Sequence, residues 1–245
     1  PTTVPMDVNT VFDMASVSKS MSTAICAMIL IERGQLRMLD KVNEFIPGFK
    51  GWEGENGRMV DIRVGDLLTH TSGLPSYAPV KELEEKYGAP NPDGMIDYIA
   101  TCRRDFKPTT GFQYSCLNYI TLQRIIETLS GQSLKDFAQT HIFDVLGMTS
   151  TGYQPTGEIL ERIAPTEKLK DGSVLRGVVH DPLARVMNGG ISGNAGVFSD
   201  AQDMAILSAA LLNGGEYNGK RILSPLGVKA MTTVPRNVAE FGRTP

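Results

Sequence analysis

Apolar and small side chains fill nearly every position of residues 16–33, and Gly34 closes the run. A helix without a polar face belongs at the centre of a domain, so this segment is predicted as a buried helix. Further on, Leu122, Ile125, Ile126 and Leu129 recur at helical spacing, and Gly131 supplies a stop. Ser133 with Asp136 reads as a capping box, opening a helix that turns Leu134, Phe137, Ala138 and Val145 inward. Ser199 with Gln202 reads the same way ahead of Met204, Leu207 and Leu211, and Gly214 with Gly215 ends that helix. Between Gly48 and Gly57, the glycines at 51, 54 and 57 break any periodicity and predict a turn-rich loop. Strand signals are sparse. The best is 173–179, paired with part of 163–169. The pattern predicts a mostly helical α+β protein with a minor β component.

Composition narrows the class without choosing a function. A chain of 245 residues can bury a substantial core, as one large domain or two intimate subdomains. No repeat, low-complexity tract or linker divides it. A net charge of -3 gives no basic footprint for nucleic acid and no polybasic membrane patch. The longest wholly apolar run, 24–31, is far short of the ~20 residues a membrane span needs. Cys26, Cys102 and Cys116 form an odd set without short paired spacing, which suggests neither a disulfide framework nor a zinc knuckle. The three histidines, His70, His141 and His180, are too few and scattered for a recognisable metal site, and each is expected to be structural. No cofactor is implied. The chain opens on Pro1 without an export signal, and its compartment is not readable from the residues.

The chemistry is carried by Ser16 and Lys19. Ser16 stands at the threshold of the buried helix, and Lys19 three residues on shares its face. A helix N-terminus offers free N–H groups and partial positive charge, both favourable to a developing alkoxide and its oxyanion. A lysine with a pKa of about 10.4 is a poor base at neutral pH, and burial against apolar neighbours is what would make it one. By itself the spacing is weak. A chain with 15 serines and 11 lysines meets S-x-x-K by chance about 0.7 times.

Other segments add weight. Gly111-Phe-Gln-Tyr-Ser-Cys-Leu-Asn-Tyr119 leads into the helix of Leu122 to Leu129. With Ser16 and Lys19 it resembles the serine β-lactamase and penicillin-binding-protein superfamily, in its branch of class C β-lactamases and related esterases. Leu67-Leu-Thr-His-Thr-Ser-Gly-Leu74, Ile142-Phe-Asp-Val-Leu-Gly-Met-Thr149, Val178-Val-His-Asp-Pro182 and Gly189-Gly-Ile-Ser-Gly-Asn-Ala-Gly-Val-Phe-Ser199 continue the resemblance in the family's order across nearly the whole chain. It implies an α+β fold of β-lactamase/transpeptidase type, with a helical subdomain around a central nucleophile helix. It implies Tyr114 as the family's tyrosine, facing Ser16, sharing a proton network with Lys19 and protonating the leaving group. Whether Lys19 or Tyr114 is the general base stays open. It implies a small-molecule ester or amide substrate and a periplasmic or extracellular setting. Oligomeric state is not implied.

The sequence departs from the family in two places. Position 116, where the family's Asn holds the substrate's acylamino group, is Cys116, a weak hydrogen-bonding group. As a substrate-binding residue it favours ester cleavage over recognition of a peptide-like substrate; a small apolar filler is the equal alternative. The family's Lys or His followed by Thr or Ser and Gly does not follow Asn118. Residues 1–245 are therefore expected to form one domain that is incomplete at both ends and lacks most of the antiparallel sheet, and with it the second oxyanion-hole N–H that the family's last strand supplies. The expected activity is a serine acyl hydrolase working through an acyl-Ser16 intermediate, carboxylesterase-like. The alternatives are a β-lactamase or D-Ala-D-Ala peptidase, and a catalytically silent binding domain of the same fold.

Overall fold

The segment that is apolar on every side organises the architecture. The computed structural model describes residues 5–235 and Val238. The chain turns helical at Val17, passes through a widened π-type turn (Lys19–Thr23) and continues as the α-helix Ala24–Glu32, the whole forming α1. Ile25, Cys26, Ala27 and Leu30 are completely excluded from solvent, as a helix without a polar face requires. At roughly 1.5–3 kcal/mol for each fully buried Ile, Leu or Met side chain, α1 is a major anchor of the core.

Strand β1 (Phe12–Asp13) precedes α1. After it, β2 (Trp52–Glu53) and β3 (Met59–Val60) form an antiparallel hairpin where only a loop was expected. The glycines that break the period there supply its turn, Gly57 adopting φ +72°. Helices α2 (Val64–Leu68), α3 (Val80–Tyr87) and α4 (Pro92–Thr101) lead to α5 (Cys116–Ser130), which packs on α1, α2 and α4 and stops at Gly131 as predicted. Ser133 caps α6 (Leu134–Ala138), its hydroxyl accepting the Asp136 N–H at 3.1 Å. A second π-type turn joins α6 to α7 (Asp144–Leu146).

In the last third, β4 (Gly152–Tyr153) and α8 (Ile159–Arg162) precede a hairpin of β5 (Glu167–Lys168) and β6 (Val174–Leu175). These strands lie within the predicted spans but are much shorter. Strand β7 (Val197–Ser199) pairs with β1 on one side and β4 on the other, placing Phe12 opposite Ser199 and Gly152 opposite Phe198. Helix α9 (Ala201–Leu212) starts one residue later than the Ser199–Gln202 reading expected. The backbone stays extended through Asp200, whose carboxylate accepts the Asp203 N–H at 2.9 Å and so acts as the cap. Ser199 is instead the end of a strand, hydrogen-bonded to Thr151 at 2.7 Å. The pair β8 (Glu216–Tyr217) and β9 (Lys220–Arg221) then leads to α10 (Pro225–Met231). Among the described residues, the β component is one three-stranded antiparallel sheet and three two-stranded pairs. No helix among them is long and apolar enough to cross a membrane.

Candidate active site

Ser16 is delivered by a tight turn between β1 and α1. Asp13 Oδ1 accepts the Ala15 N–H at 2.8 Å, and its other oxygen accepts the His180 N–H at 2.7 Å. Ala15 takes φ +45°, a conformation in which few residues with a Cβ are found. The kink leaves Ser16 exposed at the mouth of a cavity while the next turn of helix dives inward.

The polar residues in that first buried stretch all have partners. Ser18 Oγ accepts the Val197 N–H at 3.1 Å, Thr23 Oγ1 donates to the Gly193 carbonyl at 2.8 Å, and Ser22 Oγ lies 3.0 Å from the Tyr153 hydroxyl. These bonds hold α1 to β4 and to segment 192–197. Gly193 makes the fit possible, because a Cβ there would lie 2.0 Å from the Tyr119 carbonyl oxygen. Its N–H donates to Gln123 Oε1 of α5 at 2.9 Å, tying the segment to a second helix.

Lys19 is 4% exposed, and its amine sits among three acceptors. It donates to Ser16 Oγ at 2.9 Å, to the Asn194 carbonyl at 2.9 Å and, weakly, to Cys116 Sγ at 3.7 Å. An ammonium has three donors to match these acceptors. An amine has two, and its lone pair then falls to Ser16. The Asn194 side chain is itself fixed, its amide donating to Asp181 at 3.0 Å and its oxygen accepting from Ser192 at 2.6 Å.

Tyr114 comes from the segment before α5. Its ring centroid lies 4.9 Å from Lys19 Nζ, and no hydrogen bond among the described residues joins the amine to the phenol. Cys116 opens α5 and is 8% exposed, its sulfur turned on Lys19 rather than onto the cavity wall. Burial pushes its thiol upward, against the smaller downward pull of Lys19. The four residues singled out in the sequence therefore meet around one amine.

The cavity has a volume of about 560 Å3. Ser16, Lys19, His70 and Tyr114 line one part of it, with Met28, Met38 and Leu68 among its apolar wall. His70 was expected to be structural, yet it stands in this cavity with its ring 4.6 Å from that of Tyr114. Burial and the charge of Lys19 push its imidazole down to about 4, so it is neutral at physiological pH. His141 packs against Phe137 at the surface, and His180 pairs with Glu167 at 3.2 Å, both far from this chemistry in role. Asn194 was missed because it acts through a backbone carbonyl, which no residue type announces. Among the described residues, no group of three or more His, Cys, Asp or Glu is placed to hold a metal ion.

Comparison with known proteins sets this geometry in a family. The sequence model of the family described as Beta-lactamase matches residues 1–243. The chain belongs to the beta-lactamase family. It is 35% identical over 229 residues to an N-acetylmuramyl-L-alanine amidase of Bacillus subtilis, covering 86% of this chain and 52% of that protein. It is 32% identical over 251 residues to a Salmonella gallinarum protein provisionally named a D-alanyl-D-alanine carboxypeptidase, covering 96% of this chain and 58% of that one. The chain thus spans little more than half the length of these relatives. Among solved structures, the octameric penicillin-binding protein homologue from Pyrococcus abyssi superposes with a TM-score of 0.72 over 94% of this chain and 50% of its own, at 24% identity. The fold of this beta-lactamase family member is accordingly β-lactamase/transpeptidase-like, combining helices with small antiparallel sheets.

Proposed function

We propose that the protein is a serine acyl hydrolase in which Ser16 is acylated and then released by water. The observation that carries this reading is a buried amine, Lys19 Nζ, 2.9 Å from the hydroxyl of an exposed serine at a cavity mouth. In its amine form, Lys19 gives its two N–H bonds to the Asn194 carbonyl and Cys116 Sγ and turns its lone pair to the Ser16 hydroxyl. The proton passes to Nζ as Oγ bonds to the substrate's carbonyl carbon. The carbonyl electron pair moves onto oxygen, next to the helix N-terminus and the Ser16 N–H, which has no acceptor among the described residues. Collapse of this intermediate expels the leaving group, which takes a proton delivered through Lys19 and Tyr114. Water repeats the sequence on the acyl-serine and restores Ser16.

Ester cleavage is the favoured chemistry. Cys116 faces Lys19 and is a poor partner for an acylamino group, which weakens the case for peptide-like substrates. The names of the two relatives, an amidase and a carboxypeptidase, favour a second reading in which the bond cleaved is an amide.

A fluorophosphonate probe tests the reading directly. Wild-type protein is expected to be labelled at Ser16, and S16A to be unlabelled with its melting temperature little changed, since Ser16 is exposed. Comparing p-nitrophenyl ester turnover with acylation by a labelled penicillin separates the ester from the amide reading. A folded wild-type protein inert to all three reagents removes the proposal.

A further inference from the structure

The hydrogen bonds around His70 fix its tautomer. Its Nδ1 lies 3.1 Å from the Ser115 backbone N–H, which can only donate. It also lies 3.0 Å from Asn118 Nδ2. Because the Ser115 N–H makes Nδ1 an acceptor, the Asn118 atom facing it must be the amide donor. That orientation leaves Asn118 Oδ1 to accept from Ser72 Oγ at 2.6 Å. With two donors aimed at Nδ1, the ring proton resides on Nε2. Tyr114 and Tyr119 pack against the ring, with centroids at 4.6 and 5.2 Å.

This leaves one polar group unspent. Nε2–H has no partner among the described residues, and His70 lines the same cavity as Ser16, Lys19 and Tyr114. A ring positioned by two hydrogen bonds and two aromatic faces, with its remaining donor unsatisfied, is built to meet an acceptor that arrives from outside.

Resting on the acyl-hydrolase reading above, we propose that His70 is a substrate-binding residue. Its Nε2–H donates to an acceptor oxygen on the leaving-group side of the substrate, the side on which Tyr114 stands. The substrate class this selects is an ester whose alcohol portion carries an ether or carbonyl oxygen a few atoms from the scissile bond. His70 remains a neutral donor through the working pH range, so the bond forms without a change of charge.

The test uses a matched pair, the 2-methoxyethyl and n-butyl esters of one acid, which differ by a single acceptor oxygen. In the whole protein, wild type is expected to show kcat/KM three- to tenfold higher for the ether-bearing ester, the range one neutral hydrogen bond supports. His70→Asn keeps an acceptor for the Ser115 N–H and suits the positive φ of 58° at this position, but it lacks the second donor's reach. Its preference should collapse to about one, whatever the change in overall rate, because the ratio of the two esters cancels any loss common to both. An unchanged preference in His70→Asn, or none in wild type, overturns the proposal. Equal loss on both esters, with the wild-type preference retained, would mean that His70 acts only by supporting Tyr114. If His70→Asn does not fold, His70→Ala, which has no donor at all, carries the same comparison. Should neither fold, the wild-type preference decides alone. Failure of the underlying hydrolase reading looks different, since wild type would neither label nor cleave either ester.

Discussion

Replacing Lys19 with methionine is the most informative single change. Methionine keeps the length and apolar stem of the side chain while removing the amine that touches Ser16 Oγ at 2.9 Å and the Asn194 carbonyl at 2.9 Å. A positioned general base contributes about 10²–10⁴ in rate, equivalent to roughly 3–5 kcal/mol of barrier. Fluorophosphonate labelling of Ser16, read as a second-order rate constant, should fall by that factor. Stability should move much less. The Asn194 carbonyl loses its donor, worth about 1–3 kcal/mol, but a polar amine no longer has to be taken out of water into a site that is 4% exposed. These terms oppose each other, and we expect a net change within ~2 kcal/mol by urea unfolding. Lys19→Arg sharpens the test, because a guanidinium keeps the positive charge and cannot take a proton. It should be as slow as Lys19→Met. If either variant labels within threefold of wild type, Lys19 is not the base, and the proposed chemistry is wrong at its first step.

Two further predictions concern the frame of the site. Gly193→Ala places a methyl group 2.0 Å from the Tyr119 carbonyl oxygen, so backbone must move. We expect a loss of about 1–3 kcal/mol, read as a lowered melting temperature, with slower labelling because the neighbouring carbonyl that holds Lys19 shifts; a neutral variant would mean the packing is looser than described. The second is a pH dependence. Folding holds His70 down at about 4 against an ordinary value near 6.5, so the unfolded chain takes up this proton first. The stability tied to this difference is fully present above pH 6.5 and is lost as pH falls towards 4, up to about 3 kcal/mol. The titratable groups around the ring are Lys19, Tyr114 and Tyr119. Urea titrations of wild type and His70→Asn at pH 7, 5.5 and 4.5 should diverge accordingly, and parallel curves would show that the imidazole is not held neutral by the fold.

The central helix and its serine–lysine pair were legible because both depend on local periodicity. An unbroken apolar surface predicts burial, and a spacing of three predicts a shared face. Tyr114 was legible only through resemblance, since nothing local relates it to Lys19 across the intervening chain. Cys116 was legible as a departure from the family, but its orientation towards Lys19 depends on how α5 begins against α1. His70 reads as structural from the sequence, and its place in a cavity beside Ser16 and Lys19 depends on distant segments that meet only in the fold. The Asn194 carbonyl was invisible in principle, as any residue could have supplied it. The misplaced cap before α9 arose because Ser199-x-x-Gln and Asp200-x-x-Asp overlap, and only the pairing of β7 decides between them.

Strand β7 is the middle of its small sheet, and its first residue donates a hydrogen bond to Ser18, directly beside Lys19. The alignment of amine and hydroxyl is thereby tied to three short strands rather than to the helical core that supplies most of the buried surface. Short strands open more readily than packed helices. On mild heating or in low denaturant, reactivity at Ser16 should therefore vanish while circular dichroism still reports intact helices. Inactivation would then precede melting, and binding of a ligand that bridges the two regions would close the gap.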